Sequence, residues 1–169
     1  MFKIQLLSDI SNNEKSLCDL LIDAVESGAS IGFLSDIKRE QAYEYWININ
    51  KQLQKNKYLF VAYLDKQLVG SIQLQLAEMP NAKHRAEVQK LFVLQNWRNK
   101  GIAKILIESL ETKARQLGIK LLVLDTRKGD VAENLYQKLG YERAGEIPEY
   151  VFESDGHLSA TVLFYKKID

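Results

Sequence analysis

The sequence predicts one α/β domain built on a mixed β-sheet, and three observations support this prediction. A length of 169 residues suits a single domain with a substantial core. The spacing of apolar residues changes between strand and helix periods in the order β-α-α-β-β-β-α-β-α-β-β. No internal repeat, low-complexity tract or linker interrupts the chain. Residues 1–169 are therefore expected to form one domain.

Two helices follow a short first strand. Phe2–Leu7 is the predicted strand, and residues 11–14 have the spacing of a capping box at the start of the first helix. Residues 28–33 interrupt the helical pattern and predict a loop, after which a second amphipathic helix runs up to residues 55–57. The apolar positions that define the two helices are Leu17, Leu20, Leu21, Ala24 and Val25 in the first, and Ala42, Trp46, Ile49 and Leu53 in the second.

Strand spacing begins after the second helix. Residues 58–64 and 67–77 predict two strands joined by a tight turn, and residues 86–94 predict a third strand after a polar loop. A long amphipathic helix follows. The wholly apolar residues 121–124, which end at Asp125, then indicate a central strand buried on both faces.

The C-terminal part predicts a short helix and two strands. Residues 130–133 repeat the capping-box pattern. The apolar stripe of this helix is expected to consist of Val131, Leu135 and Leu139. The last strands are predicted at residues 141–147 and 161–165, with a loop between them that contains Pro148.

Composition excludes several classes of function. Charged residues make up 27% of the chain and the net charge is +1, which gives no general attraction for nucleic acid or an anionic membrane. Cys18 is the only cysteine, so disulfides within the chain and cysteine-cluster metal sites are excluded. We expect no bound metal, and a homodimer is left open. Without a signal segment or an apolar run near the ~20 residues of a membrane span, a cytoplasmic protein is expected.

One stretch has the pattern of an anion site. An apolar strand end at residues 91–94 precedes a polar turn with Arg98 and Lys100, and Gly101 then opens the long helix. A helix start leaves backbone N–H groups without partners, and glycine lets a bulky anion approach them. The pattern predicts a diphosphate site. Simple solvation of a helix start is the alternative for the two basic residues.

The pattern Arg98-x-x-Gly101-x-Ala103, followed by residues 135–141, resembles the GNAT superfamily of N-acetyltransferases. Four further stretches, residues 28–33, 85–91, 124–126 and 145–148, are similar to the tabtoxin-resistance acetyltransferase and its relatives. The resemblance implies a GNAT-like sheet that is mixed but mostly antiparallel, with the seven strands and four helices of the order above. It also implies acetyl-CoA as the donor, and direct attack by an amine on its thioester.

The resemblance further implies which residues hold the donor. The N–H groups of residues 99–103 would bind the diphosphate with help from Arg98 and Lys100, while a strand splayed from its neighbour would bind the pantetheine arm. An N–H near Phe92 would stabilise the oxyanion. The expected cofactor-binding residues are Leu91, Phe92, Val93, Arg98, Asn99, Lys100, Gly101, Ile102 and Ala103. Two positions depart from the family pattern: Asn99, where a small residue is common, and Gly129, where many members have asparagine.

Three side chains are candidates for proton transfer. Strand alternation is expected to place Glu87 on one face with Leu91 and Val93, and Asp125 ends a buried strand, where α/β sheets hold their sites. The resemblance implies that both carboxylates act as bases and that Tyr136 is the general acid. The alternatives are a surface strand residue for Glu87, a turn-capping carboxylate for Asp125 and a core tyrosine for Tyr136.

The acceptor is expected to be the amine of a small molecule, for example an antibiotic or an amino-acid-like compound. The loops at residues 28–33 and 150–158 would form its pocket, with Ser30, Phe33 and Tyr150 as substrate-binding residues. Two alternatives stay open. One is a protein or peptide N-terminus as the acceptor, and the other is a non-catalytic acyl-CoA-binding module on the same fold.

Overall fold

The computed structural model describes residues 2–29 and 32–169, which form seven strands and four α-helices. In chain order they are β1 (Phe2–Leu7), α1 (Glu14–Glu26), α2 (Arg39–Asn50), β2 (Lys57–Leu64), β3 (Gln67–Leu76), β4 (Arg85–Val93), α3 (Ile102–Gln116), β5 (Leu121–Arg127), α4 (Val131–Lys138), β6 (Glu142–Phe152) and β7 (Leu158–Lys167). One sheet has the order β1-β2-β3-β4-β5-β7-β6, and only β4 and β5 pair in parallel among these strands. The predicted order of elements and the mixed, mostly antiparallel sheet are confirmed.

Helices cover both faces of this sheet. On one side, α1 and α2 bury residues such as Leu21 and Trp46 against β2 and β3, and Trp46 Nε1 donates to Leu17 O at 2.8 Å. On the other side, α3 and α4 bury residues such as Leu106 and Tyr136. We call these the α1/α2 face and the α3/α4 face. No helix in the described ranges is long and apolar enough to cross a membrane.

The parallel pair β4–β5 is short, and its two strands separate. Only residues 85–87 of β4 pair with residues 121–123 of β5. Beyond Glu87, the rest of β4 pairs with β3 alone, while the rest of β5 pairs with β7 alone. The two strands therefore enclose a gap in the middle of the sheet, as the resemblance implied.

A β-bulge in β4 changes which side chains share a face. The register with β3 shifts between Ser71 and Gln73, and Lys90 has a φ of 52°. A bulge inserts one residue into the strand and so reverses the alternation after it. Leu91 therefore packs in the core under α3, while Phe92 packs under α1 and α2. The predicted common face of Glu87 with Leu91 and Val93 is wrong for this reason.

The C-terminal hairpin is longer than predicted. β6 continues through Pro148 to Phe152, and β7 already begins at Leu158, so the expected loop after Ile147 is wrong. β6 lies at the edge of the sheet, and its register with β7 shifts between Ile147 and Val151. An edge bulge tolerates proline, since no neighbouring strand requires its missing N–H.

Two helix starts also differ from prediction. Asn13 precedes α1 without a side-chain capping bond, so the predicted capping box is not formed. At the start of α4, the Glu133 carboxylate accepts a hydrogen bond from the N–H of Gly129. The predicted capping box requires this bond from the N–H of Asp130 instead. Val131 is 87% exposed and lies outside the core stripe assigned to it. Helix α4 instead buries Tyr136.

Candidate active site

The turn before α3 presents a row of backbone donors. Gly101 precedes the helix with a φ of 82°, and open space surrounds the position that its Cβ would take. Within the described residues, the N–H groups of residues 99–103 have no hydrogen-bond acceptor. Asn99 has a φ of 60°, a conformation that asparagine adopts more readily than most residues. The turn therefore keeps its shape despite the departure at Asn99, and its donors suit an anion.

The two basic side chains of the turn are engaged with the protein. Arg98 Nε donates to Val93 O at 3.0 Å, and its Nη2 donates to Ser27 Oγ at 2.6 Å. Arg98 thus ties the turn to the end of β4 and to the C-terminus of α1. Lys100 Nζ lies 4.3 Å from the centre of the Trp97 ring. Direct contact of either cation with a diphosphate stays a prediction.

The gap-facing edge of β4 follows from its hydrogen bonds to β3. The N–H of Leu94 donates to Val69 O at 3.0 Å, so the alternation of antiparallel pairs makes Phe92 and Ser71 the next bonded pair. We infer that the N–H of Phe92 faces β3, whereas the N–H of Val93 faces the gap. Val93 is thereby a better candidate than Phe92 for a donor into the gap.

Asp125 lies on the α1/α2 face at the carboxyl end of β5. Leu122 and Leu124 point into the opposite core, and the exposed Asp125 accepts a 2.8 Å hydrogen bond from Thr161 Oγ1 on β7. The hydroxyl of Thr161 also donates toward Thr126 O at 3.0 Å. This buried threonine fixes the carboxylate, so Asp125 is held by β7 rather than by a turn of its own.

The negative charges of Glu87 and Asp125 both act on the ammonium of Lys90. Burial lowers the pKa of Lys90, while the charges of Asp125 and Glu87 oppose that effect. The Lys90 Nζ lies 3.6 Å from the position of an added Cβ at Gly32, in the loop between α1 and α2. Both candidate bases therefore lie on the same side of the sheet, near Lys90.

Tyr136 is the buried residue of α4, with 6% of its surface exposed. Its ring packs edge-on to Tyr141 at 5.5 Å and lies 6.1 Å from Phe164. The side-chain hydroxyl makes no hydrogen bond to any described residue. Burial raises the pKa of Tyr136, and the negative charge of Asp125 raises it further. The stripe predicted for α4 did not include Tyr136, so the prediction is wrong at this position. The hydroxyl of Tyr136 remains in the field of Asp125.

The two expected walls of the acceptor pocket are joined to each other. Arg127 at the end of β5 donates to Gly28 O at 3.0 Å and to Glu153 Oε2 at 3.1 Å. The N–H of Ser35 donates to Ser154 Oγ at 3.1 Å. These contacts hold the α1–α2 loop against the β6–β7 hairpin.

The three expected substrate-binding residues have different positions. Phe33 is half-buried and packs edge-on against Tyr45 of α2, with ring centres 5.4 Å apart. Tyr150 lies on β6 and is 57% exposed. Ser30 lies outside the described residues.

A sequence profile of the acetyltransferase (GNAT) family matches residues 17–141, which include the turn, both carboxylates and Tyr136. The chain belongs to the GNAT acetyltransferase family. It is 33% identical over 114 residues to an uncharacterized N-acetyltransferase of Azospirillum brasilense, a match that covers 66% of this chain and 67% of the relative. An N-alpha-acetyltransferase of Saccharolobus solfataricus is 25% identical over 131 residues, with 72% and 78% covered.

A solved structure has the same fold. The Salmonella typhimurium protein yncA, solved with its cofactor acetyl-CoA, superposes with a TM-score of 0.79 at 14% identity. The match covers 100% of this chain and 95% of that one. At this identity, the likeness concerns the GNAT fold alone.

Sequence reasoning missed four charged residues that lie around the candidate site: Lys57, Lys90, Arg127 and Glu153. One signal was present, since β3 and β4 carry several polar residues besides their apolar ones, among them Gln73 and Gln89. Whether side chains from different strands lie close together depends on how β2, β3 and β4 pair, which the spacing of residues along one strand does not show.

Proposed function

We propose that residues 1–169 form one N-acetyltransferase domain that transfers acetyl from acetyl-CoA to the amine of a small molecule. An antibiotic or an amino-acid-like compound would be such a molecule, and the tabtoxin-resistance resemblance favours it. The observation that carries the proposal is the gap between β4 and β5, which adjoins a turn with free N–H groups. A cytoplasmic location remains part of the proposal.

The donor would lie along the gap and the turn. Backbone N–H groups of residues 99–103 suit a diphosphate, because they converge at the positive end of α3. The unpaired edge of β4 at residues 91–93 suits an amide-bearing arm, which would bond as an extra strand does. Arg98 would act by holding the turn, and Lys100 would add positive charge nearby.

The candidate proton-transfer groups divide between the two faces. Acetyl-CoA supplies the acetyl group as a thioester, which a neutral acceptor amine attacks. Glu87 and Asp125 on the α1/α2 face would hold the incoming ammonium and take its proton, directly or through water. Tyr136 on the α3/α4 face would return a proton to the sulfur. The N–H of Val93 would stabilise charge on the carbonyl oxygen.

A peptide N-terminus is the second candidate acceptor, favoured by the name of the Saccharolobus solfataricus relative. The exposed Tyr150, Phe152 and Leu158 of the hairpin would give a peptide an apolar surface beside the pocket. A non-catalytic acyl-CoA-binding module is the third possibility. The presence of both carboxylates and Tyr136 argues against it.

Release of CoA thiol from acetyl-CoA tests these alternatives. We expect turnover with some small primary amines, and a fall of roughly 10²–10⁴-fold in Asp125→Asn or Glu87→Gln for whichever is the base. A surface variant, Glu149→Gln, serves as the control. Faster turnover with short peptides than with any small amine would favour the peptide acceptor. Tight acetyl-CoA binding without turnover on either class would favour the module.

A further inference from the structure

A strip of polar side chains crosses the α1/α2 face of the sheet. Lys57 Nζ on β2 donates to Gln89 Oε1 on β4 at 3.0 Å and to Gln73 Oε1 on β3 at 3.4 Å. Gln73 Nε2 in turn donates to Tyr45 Oη on α2 at 2.9 Å. On β4, Gln89 is two residues from Glu87, the last residue that pairs with β5. The strip therefore ends where the gap opens.

Lys57 is a buried cation held by neutral groups. Its exposed surface is only 6%, and within the described chain its ammonium makes hydrogen bonds to two amide oxygens and no ion pair. An ammonium has three N–H donors, so one donor is left over. Burying a charge is unfavourable unless an opposite charge and further hydrogen bonds compensate it. The remaining donor therefore suits an anion that would contact the ammonium directly, as no carboxylate of the described residues does.

Charges of both signs lie around Lys57. Burial lowers the pKa of Lys57, and the charge of Glu87 opposes this effect while that of Lys90 adds to it. Lys90 is itself in the field of Asp125 and Glu87. The α1/α2 face thus carries Glu87 and Asp125 as well as the ammonium of Lys57. That arrangement complements a ligand that carries both a cation and an anion.

We propose that Lys57 binds an anionic group of the acceptor, which is therefore a zwitterion with a carboxylate-type anion as well as its amine. The inference rests on the proposed function, because Glu87 and Asp125 must face the acceptor's amine. Lys57 would contact the anion with its third donor, and Gln73 and Gln89 would hold the ammonium in place. Tyr45 anchors Gln73 from the opposite side.

The test compares amino acids with their carboxamides. A panel of α- and ω-amino acids and the corresponding amides shares the amine and differs in the anion. The measured quantity is the ratio of kcat/KM for each acid to that for its amide, in wild type and in Lys57→Met. Because the ratio is compared between proteins, the different basicities of the two amines cancel.

We expect Lys57→Met to lower this ratio roughly ten- to hundredfold, the effect of losing one hydrogen bond to a charged group. Lys57→Arg should keep part of the preference. Lys55→Met removes the same charge from an exposed position two residues away and should leave the ratio unchanged.

Three results would count against the proposal. An unchanged ratio in Lys57→Met, or equal turnover of acids and amides by the wild type, would overturn the zwitterion while small-molecule acetylation still stands. CoA release with neither acids nor amides would overturn the small-amine acceptor itself. Should Lys57→Met fail to fold, as thermal unfolding would reveal, the same comparison is made with Lys57→Gln, which removes the charge but keeps a polar side chain, and an unchanged ratio there would equally overturn the proposal.

Discussion

Replacement of Tyr136 by phenylalanine separates its two possible roles, because only the hydroxyl is lost. The ring contacts with Tyr141 and Phe164 remain, and the hydroxyl has no hydrogen-bond partner among the described residues. Removing an unpartnered hydroxyl from a buried residue should leave the free energy of unfolding unchanged or raise it by up to about 1 kcal/mol. Loss of a general acid should lower kcat by roughly 10²–10⁴-fold. Activity and stability should therefore move in different directions.

Tyr141→Phe is the matched control for this experiment. The Tyr141 hydroxyl is buried without a hydrogen-bond partner within geometric reach, the charge of Glu111 acts on it, and its ring contacts that of Tyr136. The control should reproduce the stability of Tyr136→Phe and keep full activity. The assays are urea unfolding and CoA release, with acetyl-CoA affinity measured by calorimetry. Unchanged turnover in Tyr136→Phe, or an equal loss in Tyr141→Phe, would refute the general-acid role and leave a core tyrosine.

The same variant has a pH signature. The folded pKa of Tyr136 is raised, so below the ordinary pKa of about 10 the hydroxyl is neutral in both states and ionisation does not affect stability. As the pH rises above that value, the unfolded chain ionises first, and the folded state loses stability. Tyr136→Phe should show a shallower alkaline loss of stability than the wild type in urea titrations. An identical slope would contradict the raised pKa.

Other predictions concern the turn, the pocket walls and the polar strip. Gly101→Asp should abolish acetyl-CoA binding in calorimetry, while Gly101→Ala should retain most of it at a stability cost of about 1 kcal/mol from its positive φ; intact binding in Gly101→Asp would contradict the diphosphate site. Arg127→Met should raise the KM for the acceptor about tenfold and leave the KM for acetyl-CoA unchanged, because the hydrogen bonds of Arg127 join the two pocket walls. An unaltered KM for the acceptor would count against this role. Lys57→Met should keep or raise the unfolding free energy by about 1–2 kcal/mol despite its loss of acceptor preference, and a marked destabilisation would argue for a structural lysine. Asp125→Asn should lower the pKa of Tyr136, measured as phenolate absorbance against Tyr136→Phe; no shift would contradict their coupling.

The sequence predicted the elements well because long periodic segments determine them. The apolar residues of α1 and α3 recur at helical spacing, and those on the predicted stripes, such as Leu21 and Leu106, are largely buried. The turn before α3 was equally predictable, since a glycine that follows a strand and opens a helix has few structural alternatives. Asn99 and Gly101 both adopt the positive φ that such a turn requires.

The missed features depend on contacts between distant segments. The bulge at Lys90 inserts a residue without any glycine or proline to mark it, so alternation failed from Leu91 onward. Pro148 favoured the prediction of a loop, because a strand accepts proline mainly at the edge of a sheet. That β6 is an edge strand follows from the sheet order and not from the local sequence. Tyr136 was expected off the buried stripe because helical spacing alone favoured Val131, whereas β7 and Tyr141 determine which face of α4 is covered.

The coupling between Asp125 and Tyr136 bears on the timing of proton transfer. A raised pKa makes Tyr136 a weaker acid in the resting enzyme, and part of the rise comes from the negative charge of Asp125. In the proposed mechanism, Asp125 would accept a proton from the acceptor's ammonium, and its contribution to the raised pKa of Tyr136 would then disappear. Tyr136 would then be a stronger acid at the stage when the sulfur needs a proton. Because burial is the larger cause of the rise and the ordinary value is already about 10, the phenol is protonated at neutral pH at every stage, so the charge of Asp125 would change its strength as an acid and not its protonation.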